Sequence, residues 1–281
     1  MSHLKDELKK LSRDLRAWLK DQDENLIYTS AVPSDNAPAN IDSVEDLMAE
    51  TEKNEAMAAA EHLFFQSAAE KKFEPQKKIS LESLREQVIA CRDCPLGISR
   101  LNPVFGIGSP KAKLMFVGEG PGFQEDHQGE PFVGRSGQLL DKIMEKVLSL
   151  RRSDVYIANI VKCHPMKNPE TPEAHSNDRP PAPDEIEKCR HYLEEQIRII
   201  QPVCIVPLGS VAAKFLLKTN KGISFLRGHV YDYESDIPGL RHTIKVIPTY
   251  HPAALLRNQN LKRDTWHDIL LVKDLLDSAS Q

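Results

Sequence analysis

The sequence predicts a three-layer α/β fold: a central, mostly parallel four-stranded sheet with helices on both faces, behind a separate N-terminal extension. Three observations lead there. From residue 113 onward, short apolar runs alternate with helical patterns, as strand–helix–strand crossovers require when a sheet is buried on both sides. The turn Gly118-Glu119-Gly120-Pro121-Gly122 separates the first run from its helix, where open α/β sheets bind ligands. Composition also breaks near residue 80: residues 1–80 carry 11 Lys+Arg against 16 Asp+Glu, whereas residues 81–281 carry 26 against 25. We therefore divide the chain into an extension, 1–80, and a globular domain, 81–281.

Within the extension, Leu4, Leu8, Leu11, Leu15 and Trp18 recur at helical spacing, a helix with one apolar seam. Two heptads are too few for an independent coiled coil, so the seam is expected to pack on its own domain, on a second copy of the chain or on a protein partner. Residues 30–42 read as a flexible linker, and residues 43–73 as an acidic, Ala-rich, helix-prone stretch.

The domain opens with a helix, Leu81 to Ala90, that runs into Cys91-Arg92-Asp93-Cys94. Lys113 to Val117 is the first strand. After the Gly-rich turn, Leu139, Leu140, Ile143, Met144, Val147 and Leu148 mark a helix. Asp154 to Cys163 reads as the second strand. Residues 164–183 hold six prolines and no periodicity, an irregular loop of a length that is usually functional. A helix carrying Ile186, Cys189, Leu193, Ile197 and Ile200 follows, then the third strand, Pro202 to Gly209, and a helix through Phe215. Ile223 to Tyr233 suggests a Gly-containing hairpin. Lys245 to Pro252 is the fourth strand, ending in His251, and a helix through Trp266, Ile269, Val272 and Leu276 closes the chain.

No run of 18 apolar residues is present and the first residues are too charged for a signal peptide, so a cytoplasmic protein without a membrane span is expected. In that compartment the five cysteines are expected as thiols or ligands rather than disulfides. Near-neutral charge over 81–281 means that any DNA surface must be a local patch.

Three strand ends bring polar groups to one sheet edge: the Gly118–Gly122 loop, Asn159 and His251. An Asn amide suits an imide edge, with one acceptor and two donors in a plane. A His there can donate to developing negative charge or act as acid or base. Cys91-x2-Cys94, Cys163 and Cys189 form a four-ligand set for zinc or an iron–sulfur cluster, which spacing alone does not separate. Cys204, inside the third strand, reads as a core residue.

The stretch Gly118 to Leu140 with Pro131-Phe132-Val133-Gly134-Arg135, the stretch Asn159-Ile160-Val161-Lys162-Cys163, and Thr249-Tyr250-His251-Pro252-Ala253-Ala254-Leu255-Leu256-Arg257 together resemble the type-4, iron–sulfur uracil-DNA glycosylases over roughly residues 85–275. The resemblance implies the uracil-DNA glycosylase-like fold and an enzyme that flips deoxyuridine out of DNA and hydrolyses its N-glycosidic bond. It implies that Glu119, Gly120 and Pro121 line the uracil pocket, Phe132 stacks on the base, Asn159 reads O4 and N3–H, and Glu125 crowds the 5-position. His251 would hydrogen-bond O2 of the leaving base, Leu255 would wedge into the vacated stack, and Arg257 would meet DNA. Cys91, Cys94, Cys163 and Cys189 would hold a [4Fe-4S] cluster. Gly120 stands where the best-known branch of the superfamily has a water-positioning Asp, which leaves Glu119 and Glu125 as candidates for that role. The 164–183 loop is longer than the family's usual connection. Excision of another deaminated base, such as hypoxanthine or xanthine, and a non-catalytic DNA-binding module are the alternatives. No Gly-x-Ser-x-Gly nucleophile turn supports an unrelated hydrolase.

Overall fold

The parallel centre of the sheet is built from four strands, the first three buried along their whole length: β2 (Leu114–Gly118), β3 (Tyr156–Asn159), β4 (Cys204–Pro207) and β6 (Lys245–Val246). The computed structural model describes residues 79–234 and 239–279; the N-terminal helix, linker and acidic stretch read from the sequence lie outside the described residues. Two further strands, β1 (Ile107–Gly108) and β5 (Tyr231–Asp232), pair antiparallel at the two edges and complete a mixed six-stranded sheet of order β1-β3-β2-β4-β6-β5. β1 was not foreseen from the sequence and β5 only within the wider hairpin expected at Ile223–Tyr233, since two residues carry no alternation to recognise.

Alternation within the strands divides the interior into two cores. Leu114 and Phe116 point to one face, where they meet Leu140 and Met144 of α4 (Arg135–Ile143) and the following π-turn Met144–Leu148, together with Ile269 and Val272 of α9 (Leu261–Ser278). Met115 and Val117 point to the other, against Leu84 and Val88 of α1 (Leu81–Ala90) and Leu193 and Ile197 of α5 (Pro183–Ile200). Truncating a fully buried side chain such as Phe116 to Ala would cost about 3–5 kcal/mol. Short helices α2 (Pro95–Ser99), α3 (Phe123–Gln128), α6 (Ser210–Leu216), α7 (Ile223–Leu226) and α8 (Pro252–Arg257) fill the connections. No helix among the described residues is long and apolar enough to cross a membrane.

The expected hairpin at Ile223–Tyr233 is not formed. Its first half is α7, and Gly228, at φ +76°, turns the chain so that Tyr231 and Asp232 reach β6. Arg227 fixes this path by donating to both carboxylate oxygens of buried Asp268, which also accepts from Thr249 Oγ1 at 2.7 Å. The second strand is also shorter than expected. Past Asn159 the chain follows the Gly-rich loop instead, with Ile160 N–H donating to the Gly118 carbonyl and Val161 N–H to that of Glu119. Parallel register sets Gly118 beside Asn159, and a bridge joins Leu208 to Thr249, so the carboxyl ends of four strands form one rim.

Candidate active site

That rim opens into a cleft of about 580 Å³ whose walls include Glu119, Gly120, Pro121, Phe132, Asn159 and His251, six residues that the sequence reading brought together. Gly118 makes their approach close: a Cβ there would lie 2.3 Å from Asn159 Oδ1 and 2.6 Å from the Phe132 ring. Phe132, 6% exposed, stands at φ +55° and packs its ring 5.6 Å from that of His251. Asn159 is 1% exposed and its Oδ1 has no protein partner. Such an orphan costs about 1–3 kcal/mol unless a ligand satisfies it. Its backbone carbonyl accepts from Lys162 Nζ at 2.7 Å, and that buried ammonium is held in turn by Gln196.

His251 caps α8. Its Nδ1 accepts from Ala253 N–H at 3.1 Å, which leaves the proton of the neutral ring on Nε2. Burial, with the charge of Arg257 nearby, pulls its pKa down to about 4, so the ring is a neutral donor over the physiological range. The two acids of the Gly-rich motif differ. Burial raises Glu119 above the usual carboxylate range, and it has no hydrogen-bond donor among the described residues. Glu125 is engaged on both oxygens, accepting from Gly122 N–H on one and from Val133 and Gly134 N–H on the other. It lines the cleft, and its three N–H partners also make it a brace of the loop.

At the cleft mouth, Arg257 is exposed, but Leu255 is 2% exposed and packs inward. The next residue, Leu256, is 41% exposed. Leu255, expected as the wedge, thus faces the core, while its neighbour Leu256 presents apolar surface to solvent.

Cys91, Cys94, Cys163 and Cys189 line a second, small cavity, while Cys204 is a buried member of the opposite core. Arg100 Nη1 lies 3.1 Å from Cys163 Sγ, and Lys162 N–H donates to Cys189 Sγ at 3.3 Å, contacts that suit anionic sulfur. Among the described residues no three His, Cys, Asp or Glu side chains converge on a single ion.

Residues 105–275 match the model of the uracil DNA glycosylase superfamily. The type-4 uracil-DNA glycosylase of Sulfurisphaera tokodaii is 41% identical over 200 residues, 70% of this chain and 84% of that one. Those of Archaeoglobus fulgidus and Thermotoga maritima are 39% and 41% identical, covering 93% and 94% of their lengths. This chain belongs to the uracil-DNA glycosylase superfamily, in its type-4 branch.

Several residues that shape this glycosylase fold around the cleft escaped the sequence reading. His164, fully buried, hydrogen-bonds Asp178 through Nε2 at 2.6 Å and faces Asp126 at 3.5 Å, pinning the Pro-rich loop to α3; burial lowers its pKa, but the two carboxylates together outweigh that and raise it to about 9. Arg179 pairs with Glu185 at 2.6 Å and lines the cleft. Arg152 donates to the carbonyls of Pro131 and Phe132. None sits in a periodic pattern, and each makes its contacts across a loop. One signal was available: Glu125 and Glu185 are both third residues of helices, where a Glu reaches back to the N-cap N–H.

Proposed function

We propose that this chain is a DNA-repair hydrolase that flips deoxyuridine out of DNA and releases uracil, leaving an abasic site. The observation that carries the reading is the orphaned amide of Asn159, buried at the closed end of a cleft floored by Phe132. In this pocket Phe132 stacks on the base, and the Asn159 amide accepts from N3–H and donates to O4. Cytosine is rejected because its 4-amino group sets donor against donor. Glu119, Gly120 and Pro121 form the wall. As the N1–C1′ bond breaks, its electron pair moves onto uracil, and His251 Nε2–H donates to the O2 on which charge collects. Glu119, in its ionised form, holds the water whose oxygen bonds to C1′ and accepts the proton that water loses. Outside the cleft, Leu256 fills the gap in the stack and Arg257 meets a phosphate.

Cys91, Cys94, Cys163 and Cys189 hold a [4Fe-4S] cluster in this reading. Four cysteines that line one small cavity, with Arg100 and the Lys162 N–H aimed at sulfur, are a donor set that suits such a cluster. When bound, it supplies sulfur–iron bonds that tie the α1–α2 link to the end of β3 and to α5, a structural task. The test is incubation with otherwise identical uracil- and thymine-containing oligonucleotides, followed by alkaline cleavage of abasic sites. Cleavage confined to the uracil strand is expected; no cleavage of either, by protein with a full complement of iron, refutes the reading.

A further inference from the structure

Phe132 is a non-glycine residue in the left-handed region, φ +55°, a conformation that an L side chain holds only when its surroundings impose it. The chain on both sides of it is tied down. On one side, Arg152 donates Nη2 to the Pro131 carbonyl at 2.5 Å and Nη1 to the Phe132 carbonyl at 3.0 Å, and Asp141 of α4 anchors the guanidinium at 2.9 Å. On the other, Glu125 Oε1 accepts from Val133 N–H at 3.1 Å and from Gly134 N–H at 3.2 Å. Beneath, Gly137 lets the first turn of α4 close on the Phe132 carbonyl: a Cβ there would lie 1.6 Å from that oxygen. A relaxed φ near −65° would swing the ring away from Gly118 and open the floor of the cleft.

We propose that Arg152 and Glu125 are positioning residues that jointly clamp Phe132 in its left-handed conformation, so that the cleft presents a fixed stacking face to the incoming base. The inference rests on the uracil reading for its consequence in rate, but not for the clamp itself. Neither residue has to touch the substrate. Arg152 works through two carbonyls, and a lysine, with a single point of donation, cannot reproduce the planar two-pronged contact. A misplaced platform disturbs the alignment of base and sugar even when DNA binds normally.

Two measurements on the full chain decide it. Arg152→Gly is expected to slow single-turnover uracil excision on the order of 100-fold. Affinity for a duplex carrying a tetrahydrofuran abasic site, which has no base to stack, is expected to stay unchanged. Added methylguanidinium should restore part of the rate, and Arg152→Lys should fall between Arg152→Gly and the unmodified chain. Full rate in both variants overturns the proposal, as does a loss that tracks abasic-site affinity and ignores methylguanidinium. The second measurement needs no catalysis. Phe132→Gly removes the conformational cost at this position and with it the strain that losing the clamp would release, so Arg152→Lys should lower the urea midpoint more in the Phe132→Gly background than in the unmodified one. Equal drops in both backgrounds refute the clamp. If the unmodified chain releases no uracil, the functional reading fails, while the urea midpoints of the four chains still decide for or against the clamp.

Discussion

The two cavities lined by the chain at the end of β3 and just past it are built on opposite principles. The cleft holds polar atoms that the protein leaves unanswered: Asn159 Oδ1 without a partner and Glu119 half-buried without a donor. Around the thiols the protein answers what it can, with Arg100 and the Lys162 N–H aimed at sulfur. In the function proposed above, one region is prepared for a transient guest, the other for a resident. The polypeptide stores unmet hydrogen-bonding capacity where exchange is needed and completes it where permanence is needed.

The sharpest test of this contrast is to damage each side and ask what is lost. Cys163→Ser is expected to abolish the brown iron–sulfur absorption and lower the melting temperature, whereas Cys204→Ser should keep the full iron content; absorption spectra, iron assay and thermal melts check both. His251→Ala should do the reverse, keeping iron while slowing single-turnover excision by about 10²–10³-fold, the usual cost of losing a donor to developing charge. Asn159→Asp should slow uracil excision by about 5- to 150-fold, the range expected from one unpaired buried group. It should also raise cytosine excision relative to uracil, measured on matched strands. If pocket variants lose iron or Cys163→Ser keeps it, the division between guest and resident sites is wrong.

A smaller effect concerns pH. Glu119 must be ionised to hold water, and burial raises its pKa, so the rate should climb with pH through a midpoint above 4.5 and then level off. His251, protonated only below about 4, should add no inflection near 6.5. In Glu119→Gln the acid limb should disappear from the range above 4.5; its persistence would assign the limb to another group. The smallest effect is expected from deleting residues 1–78, which contain none of the cleft or thiol residues. Excision of a short oligonucleotide by the truncated chain should match that of the full one, and a folded, iron-loaded but inactive product would draw the extension into the site.

The parallel strands, the cleft trio and the cysteine quartet were legible because each is written in consecutive residues or a fixed spacing. Strands buried on both faces give unbroken apolar runs, and functional residues follow their ends. What escaped was set by the third dimension. Leu255 and Leu256 are chemically identical neighbours, and only the rotation of α8 decides which one faces outward. Glu125 carries the same carboxylate as Glu119, yet three backbone N–H groups, two of them eight and nine residues away, convert it into a brace. The edge strands β1 and β5 are defined by pairing alone and have no pattern of their own.

From Val155 to Met166 every one of twelve consecutive residues is buried. Within that span lie the amide of Asn159, the ammonium beneath it, a cysteine of the second cavity and the imidazole that anchors the Pro-rich loop. A saturation-mutagenesis map of the chain should therefore show one continuous intolerant block here. It should be flanked by a permissive stretch beginning at Lys167, where the chain returns to solvent. Selection has almost no room to tune base reading, metal retention or loop placement separately inside those twelve positions. Natural variation in substrate range within such a chain has to arise elsewhere, from the loop beyond Met166 and the rim of the cleft.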